Sequence, residues 1–236
     1  WLPRRGGDIS GKATNRSPVQ WIDFDNGELT QNRFEAFARA RNLPPGVPLH
    51  YSIMPDPWLD GSNEEHMSSL AARLEARGIR LAVIDNFKTV CGRLDENKPE
   101  VAAVMSQFRR MVDRLRMCVI LIHHPPKADD EILRGHGSIL ASLDLSLHVR
   151  RDGQSETVSL KPVKSRGAIP EAFAARFEFT HKPGTRDLET ARFRAGSAKA
   201  GIRLTPSEKE VLEVVVKARS AKVEEIGRSV RKTSPE

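Results

Sequence analysis

The sequence predicts an α/β protein: a mostly parallel sheet flanked by helices, with antiparallel strands at one edge. An apolar run ends on a carboxylate in Leu81-Ala82-Val83-Ile84-Asp85-Asn86. A second run, Cys118-Val119-Ile120-Leu121-Ile122, ends on His123-His124. Between them, Pro99 to Arg116 carries Val101, Val104, Met105, Phe108, Val112 and Leu115 on one helical stripe, so strand, helix and strand make a right-handed crossover. Uninterrupted apolar strands are those buried on both faces of a parallel sheet, and such sheets bind ligands outside their carboxyl ends. That edge is where Asp85 and the two histidines fall.

The remaining elements follow in order. Val19-Gln20-Trp21-Ile22-Asp23-Phe24-Asp25 alternates and stops at Asn26-Gly27, a strand entering a turn. Leu29 to Arg41 has Phe34, Phe37 and Ala38 on a helical face and is ended by Pro44-Pro45-Gly46. Val47 to Met54 reads as a short strand. Glu64 to Arg77 spaces Met67, Leu70, Ala71 and Leu74 as a helix does, with Gly78 at the position where a C-cap glycine belongs. After the histidine strand, Leu143 to Arg150, Thr157 to Val163 and Ala174 to His181 have no helices between them, which predicts antiparallel strands added to the sheet edge. Residues 195–204 are small and flexible, a linker by composition. Beyond it, Thr205-Pro206-Ser207-Glu208 opens a helix, Val223 to Val230 makes a second, and Thr233-Ser234-Pro235-Glu236 starts a third. This pattern predicts a truncated helix-turn-helix of winged-helix type over 205–236. With Trp1 at one end and an unfinished helix at the other, the expectation is a piece of a longer protein, with a core over 1–194.

Composition narrows the function classes. The chain has 236 residues, 39% of them hydrophobic, with no apolar run long enough to span a bilayer and no signal-like start, so cytoplasm is the expected location. Cys91 and Cys118 have neither metal-site spacing nor a disulfide framework, and Cys118, opening an apolar strand, is expected in the core. The net charge is +7, and residues 145–236 carry the whole excess, with 19 Lys and Arg against 12 Asp and Glu. A polyanionic partner near the C-terminal part is implied.

Gly6-Gly7-Asp8-Ile9-Ser10-Gly11-Lys12-Ala13 nearly matches a phosphate-binding loop, G-x-x-x-x-G-K-[ST]. The mechanics reject it. Such a loop needs a strand to deliver the chain and a helix to carry it away, aiming backbone N–H groups at the phosphates. Here Trp1 to Arg5 is no strand, Ala13 replaces the metal-touching hydroxyl, and little chain separates Lys12 from the next strand. The expectation is that a working loop, with its strand and helix, lies upstream.

Taken together, Trp21-Ile22-Asp23-Phe24-Asp25-Asn26, Leu81 to Asn86, Ile120-Leu121-Ile122-His123-His124, Arg134-Gly135-His136-Gly137-Ser138 and Lys164-Ser165-Arg166-Gly167 resemble RecA-like P-loop ATPases of the RepA and DnaB hexameric helicase type. These include the RepA-like ATPases of plasmids, phages and mobile elements, and the resemblance spans residues 17–180. It implies ATP and Mg2+ as cofactors, DNA (single-stranded) as partner, and a homo-oligomer that closes as a hexameric ring. Asp85 then belongs to the Walker B element and holds magnesium through water, with Asn86 and Ser138 on the cofactor side of the site. Asp25 matches the position that orients the attacking water, usually a glutamate, and Glu28 is the nearby substitute. The end of the histidine strand would sense the terminal phosphate. Alternation lets only one of His123 and His124 face the site, and His124 is favoured. Lys164 and Arg166 would reach a neighbouring subunit's ATP, while Arg134 and His136 lie in a loop placed for DNA.

The implied activity is a DNA-associated, ATP-hydrolysing motor. An ATP-switched replication initiator or regulator without unwinding is the alternative. A metal hydrolase using Asp85, His123, His124 and His136 is disfavoured, because adjacent histidines on one strand point apart.

Overall fold

The computed structural model describes residues 8–9, 12–13, 16–55, 58–125, 135–151, 153 and 155–196. Two short strands, β1 (Asp8–Ile9) and β2 (Lys12–Ala13), pair antiparallel. Then come β3 (Val19–Asp23), α1 (Glu28–Ala40), β4 (Leu49–Ile53), α2 (Glu64–Ala76), β5 (Leu81–Asp85), α3 (Phe87–Val90), α4 (Val101–Leu115) and β6 (Cys118–Ile122). The described chain closes with α5 (Gly137–Ser142), β7 (Leu145–Arg151), β8 (Thr157–Ser165), β9 (Phe173–His181) and β10 (Leu188–Gly196). The predicted linker from residue 197 onward and the helix-turn-helix over 205–236 lie outside the described residues, as does Arg134.

β3 to β6 form one parallel sheet in the order β4-β3-β5-β6. Its register is unbroken: Asp23 pairs with Ile53 and Asp85, and Asp85 pairs with Ile122. The four strands therefore finish in one row, and the residues just past them spill over a common edge.

One face of this sheet carries the core. Ile22, Ala82 and Ile84 meet Met67, Ala71 and Leu74 of α2 and Val101, Val104, Met105 and Phe108 of α4, all buried. In α4 the buried stripe runs through Met111, and Val112 is only half-buried. Each fully buried aliphatic side chain contributes about 1.5–3 kcal/mol. Asn63 caps α2 by accepting from the Glu65 and His66 N–H groups, and Asn86 caps α3 by accepting from Thr89 N–H. Among the described residues the other face is covered by α1 over β3 and β4, where Phe34 packs edge-on to Trp21 with centroids 5.2 Å apart and lies 6.1 Å from Tyr51.

The predicted antiparallel strands do not extend the parallel sheet. β7 to β10 make a separate four-stranded sheet, in the order β10-β9-β8-β7. It is tied back through α1: Arg39 donates to the Leu188 and Glu189 carbonyls, and Phe37 meets Phe193. β6 and β7 have no hydrogen-bonded register with each other, so each is an edge. β10 has no counterpart among the three expected strands, and it takes in Ala195 and Gly196, which composition assigns to the linker. Cys118, expected in the core, is exposed, because it points from β6 onto the face that α1 does not reach. Cys91 is buried, and burial, reinforced by the Glu96 and Asp60 carboxylates, pushes its thiol up to about 12, so it is an inert core residue.

Among the described residues no helix is long and apolar enough to cross a membrane. Leu74 is 1% exposed between α2 and the sheet, away from the strand-end edge. Leu74→Ala is expected to cost about 2–5 kcal/mol, read as a lowered denaturation midpoint with the slope unchanged.

Candidate functional site

The site is built from a turn and two strand ends. Asp23, fully buried as the last residue of β3, accepts hydrogen bonds from the backbone N–H of Asp25 and of Asn26, each at 2.8 Å, and from the Thr30 hydroxyl. Its carboxylate is used up in folding the turn. Gly27 completes that turn at φ +52°, a conformation that glycine adopts without strain, and α1 starts at the next residue. The Asp25 carboxylate is thereby presented toward β5.

There it meets Asp85. The Phe24 N–H donates to the Asp85 carbonyl at 2.6 Å, continuing the ladder one step past the strands. Two amides cross between the strand ends. Asn26 Nδ2 donates to Asp85 Oδ2 and Asn86 Nδ2 to Asp25 Oδ2, both at 3.3 Å. Asn86 Oδ1 is meanwhile fixed by the Thr89 N–H and hydroxyl at the start of α3. From β6, His124 Nε2 lies 3.5 Å from Asp25 Oδ2. Asp25, Asp85 and His124 thus offer ligand atoms all within 4.8 Å of one another.

The electrostatics are unbalanced toward negative. Asp85 is 9% exposed, and its carboxyl titrates above the ordinary range. Burial is the main cause, followed by the Asp23 and Asp25 carboxylates, with His124 and Arg33 acting in the opposite direction. The carboxylate pair and imidazole fit a divalent cation. Of the near-match to a phosphate loop, Asp8–Ile9 and Lys12–Ala13 are described, and they pair as β1 and β2.

The other predicted residues sit elsewhere. His123 turns to the opposite side, 7% exposed, with Nε2 at 3.9 Å from Glu96 Oε2 and its ring edge-on to Phe87. His136 caps α5, accepting from Ser138 N–H at 3.2 Å, with Nδ1 also 3.0 Å from the Ser138 hydroxyl. The two residues engage each other. Histidines 123, 124 and 136 therefore do not share one metal with Asp85. Glu28 is exposed in the first turn of α1, outside the converging group. Lys164 donates to the Leu140 and Ala141 carbonyls, and Arg166 donates to Ala141 O at 2.6 Å and lies 3.4 Å from Asp144, so both bind the C-terminal end of α5.

Asp23 and Glu96 also contribute. In the sequence Asp23 is marked only by its alternation with Asp25. Glu96 had no sequence signal at all. It lies in the loop before α4, 3% exposed, and joins two elements: its carboxylate faces His123 while its carbonyl accepts from His136 N–H at 2.8 Å.

Fold and site together define an α/β protein with a cation-ready cluster at the carboxyl edge of a parallel sheet. A family model described as an AAA domain matches residues 5–130, and the chain belongs to that family. Among solved structures, the crystal structure of the RadB recombinase is similar with a TM-score of 0.48 and 16% identity, over 75% of this chain and 80% of that one. No curated protein sequence matches.

The raised Asp85 carboxyl has a defined stability consequence. A group whose pKa is higher folded than unfolded favours folding below its unfolded value and loses that contribution as pH rises through the folded one. Asp85→Asn keeps an acceptor for Asn26 and removes the charge. It should be more stable than the parent at pH 7, and the gap should close as pH falls toward 3.8, by urea denaturation at each pH.

Proposed function

We propose that this chain is the core of an ATP-hydrolysing, DNA-associated motor domain of the RecA-like type, nearest in kind to the RepA and DnaB helicases. One observation carries the reading: Asp85, Asp25 and His124 converge from three adjacent parallel strands onto one edge, where such sheets bind phosphates. Membership of an AAA domain family supports ATP as the nucleotide.

Asp85 would hold Mg2+ through water, and the ion when bound offsets charge on the phosphate oxygens. Asp25, steadied by the Asn86 amide, takes the proton of the attacking water. His124, 61% exposed at its side chain, donates to the terminal phosphate from the position it now shares with Asp25. Lys164 and Arg166 supply cations to the ATP of the next subunit in a hexameric ring, and while held on the α5 carbonyls they report its position. Single-stranded DNA is the partner, drawn by the basic C-terminal part.

A strand that brought a phosphate loop would find open pairing on β6 and on β7, both edges among the described strands.

In a chain extended to include a strand, phosphate loop and helix, Asp85→Ala should lower ATP turnover by about 10²-fold or more. Lys164→Ala and Arg166→Ala subunits should be inactive alone and recover turnover when mixed with Asp85→Ala subunits. Undiminished turnover by the Asp85→Ala protein refutes the reading. Hydrolysis without displacement of an annealed strand favours the switch-like initiator over the motor.

A further inference from the structure

We infer that Asp25, Asp85 and His124 form a nucleotide-independent site for a first-row divalent transition ion, with His124 Nε2 as a direct ligand. This goes beyond the ATPase reading, in which magnesium is held through water and the imidazole faces a phosphate.

The cluster is a mixed donor set, two carboxylates and one imidazole nitrogen, delivered by three different strand ends. Atoms bound to one ion at about 2.1 Å are about 3.0 Å apart when adjacent and about 4.2 Å when opposite. His124 Nε2 and Asp25 Oδ2 are already 3.5 Å apart, and the whole set spans no more than 4.8 Å, so side-chain shifts of between about half an ångström and about two close it. The side chains that must move are the accessible ones. Asp25 and His124 are 49% and 61% exposed, while Asp85, 9% exposed, stays fixed in the strand.

The surroundings hold the donors without competing for the ion. Asn26 and Asn86 each give an amide N–H to one carboxylate, which leaves the carboxylates' other lone pairs available. Asp23 is committed to Asp25 N–H, Asn26 N–H and the Thr30 hydroxyl, so it adds negative charge behind the site without entering it. Arg33 acts on Asp85 from α1, and one guanidinium does not neutralise three carboxylates.

Ligand chemistry selects the metal. Magnesium is a hard cation that prefers oxygen and keeps its waters, so it gains nothing from an imidazole. Cobalt, nickel and zinc accept imidazole alongside carboxylate and bind more tightly in the usual order of divalent ions. The site should therefore fill before any nucleotide is present.

Co2+ is the probe, titrated into the 236-residue chain without nucleotide, with visible d–d absorption as the readout. One Co2+ per chain is expected, with affinity falling at least tenfold in His124→Ala and in Asp25→Asn. Mg2+ should displace it only in large excess. Circular dichroism matching the parent shows that the variants fold, and the exposure of both side chains makes that the expected result. Absence of a stoichiometric Co2+ signal, or unchanged affinity and spectrum in His124→Ala, overturns the inference. Both readouts are taken without nucleotide, so failure of this site is visible apart from failure of the ATPase reading, which is judged by the turnover of Asp85→Ala.

Discussion

The in-register pairing of β3, β5 and β6 is the constraint on which the site depends. Because Asp23, Asp85 and Ile122 occupy one row across the sheet, the residues one to two positions beyond the first and last of them land together. A slip of one residue between β3 and β5 would invert the faces of a whole strand and send either Asp85 or Ile84 to the wrong side. The core opposes that slip. Ile84 and Ile22 lie on the face packed against α2 and α4, and both are almost fully buried, so the apolar face fixes the register and the register fixes the acids. Packing on one face of the sheet thus places the charged groups at its edge.

Concentrating carboxylates in this way opposes folding, and the turn after β3 shows how the cost is limited. Asp23 is fully buried, and it is stabilised by two backbone N–H groups and one hydroxyl. Asp85 is less well supplied, with one amide donor at 3.3 Å, and burial beside two other carboxylates raises its pKa. The difference separates structure from function: the carboxylate whose bonds are complete shapes the turn, and the one left short of donors faces the ligand edge. Carboxyls perturbed in this way are commoner at functional sites than elsewhere.

Much of this was legible in the sequence because it depends on local pattern. Uninterrupted apolar runs located β5 and β6, helical spacing located α2 and α4, and the end of each run placed Asp85 and His124 at the edge. Strand alternation also separated the two histidines, and the structure puts His124 with Asp25 and Asp85 while His123 faces Glu96. What failed depended on long-range pairing. Nothing local to Leu143 through His181 states whether those strands join the parallel sheet or fold on themselves, since that choice is made by edge contacts. β10 was lost because Arg192 and Arg194 alternate with Ala191 and Phe193, and the charges masked a short apolar face. The four-residue α3 and six-residue α5 are too short for periodicity to register, and they rely on the caps Asn86 and His136. Glu96 could not be found because its importance comes from two partners distant in sequence.

Those long-range contacts also tie the edge to the second sheet. His123 follows β6 and faces Glu96, whose carbonyl holds the His136 N–H at the start of α5. The far end of α5 is held by Lys164 and Arg166, from the end of β8 and just beyond it, while Asp144 binds Arg109 of α4 through both oxygens at 2.9 Å. Gly135 makes the near end tight. At φ +101° a Cβ there would stand 2.5 Å from Ile139 Cδ1 and 3.0 Å from the Glu96 carbonyl, so glycine lets the backbone approach α5 this closely. The end of β6 and the end of β8 are thus joined by contacts that run through Glu96 and α5. The adjacent histidines part company there, His124 beside Asp25 and His123, one residue earlier, beside Glu96.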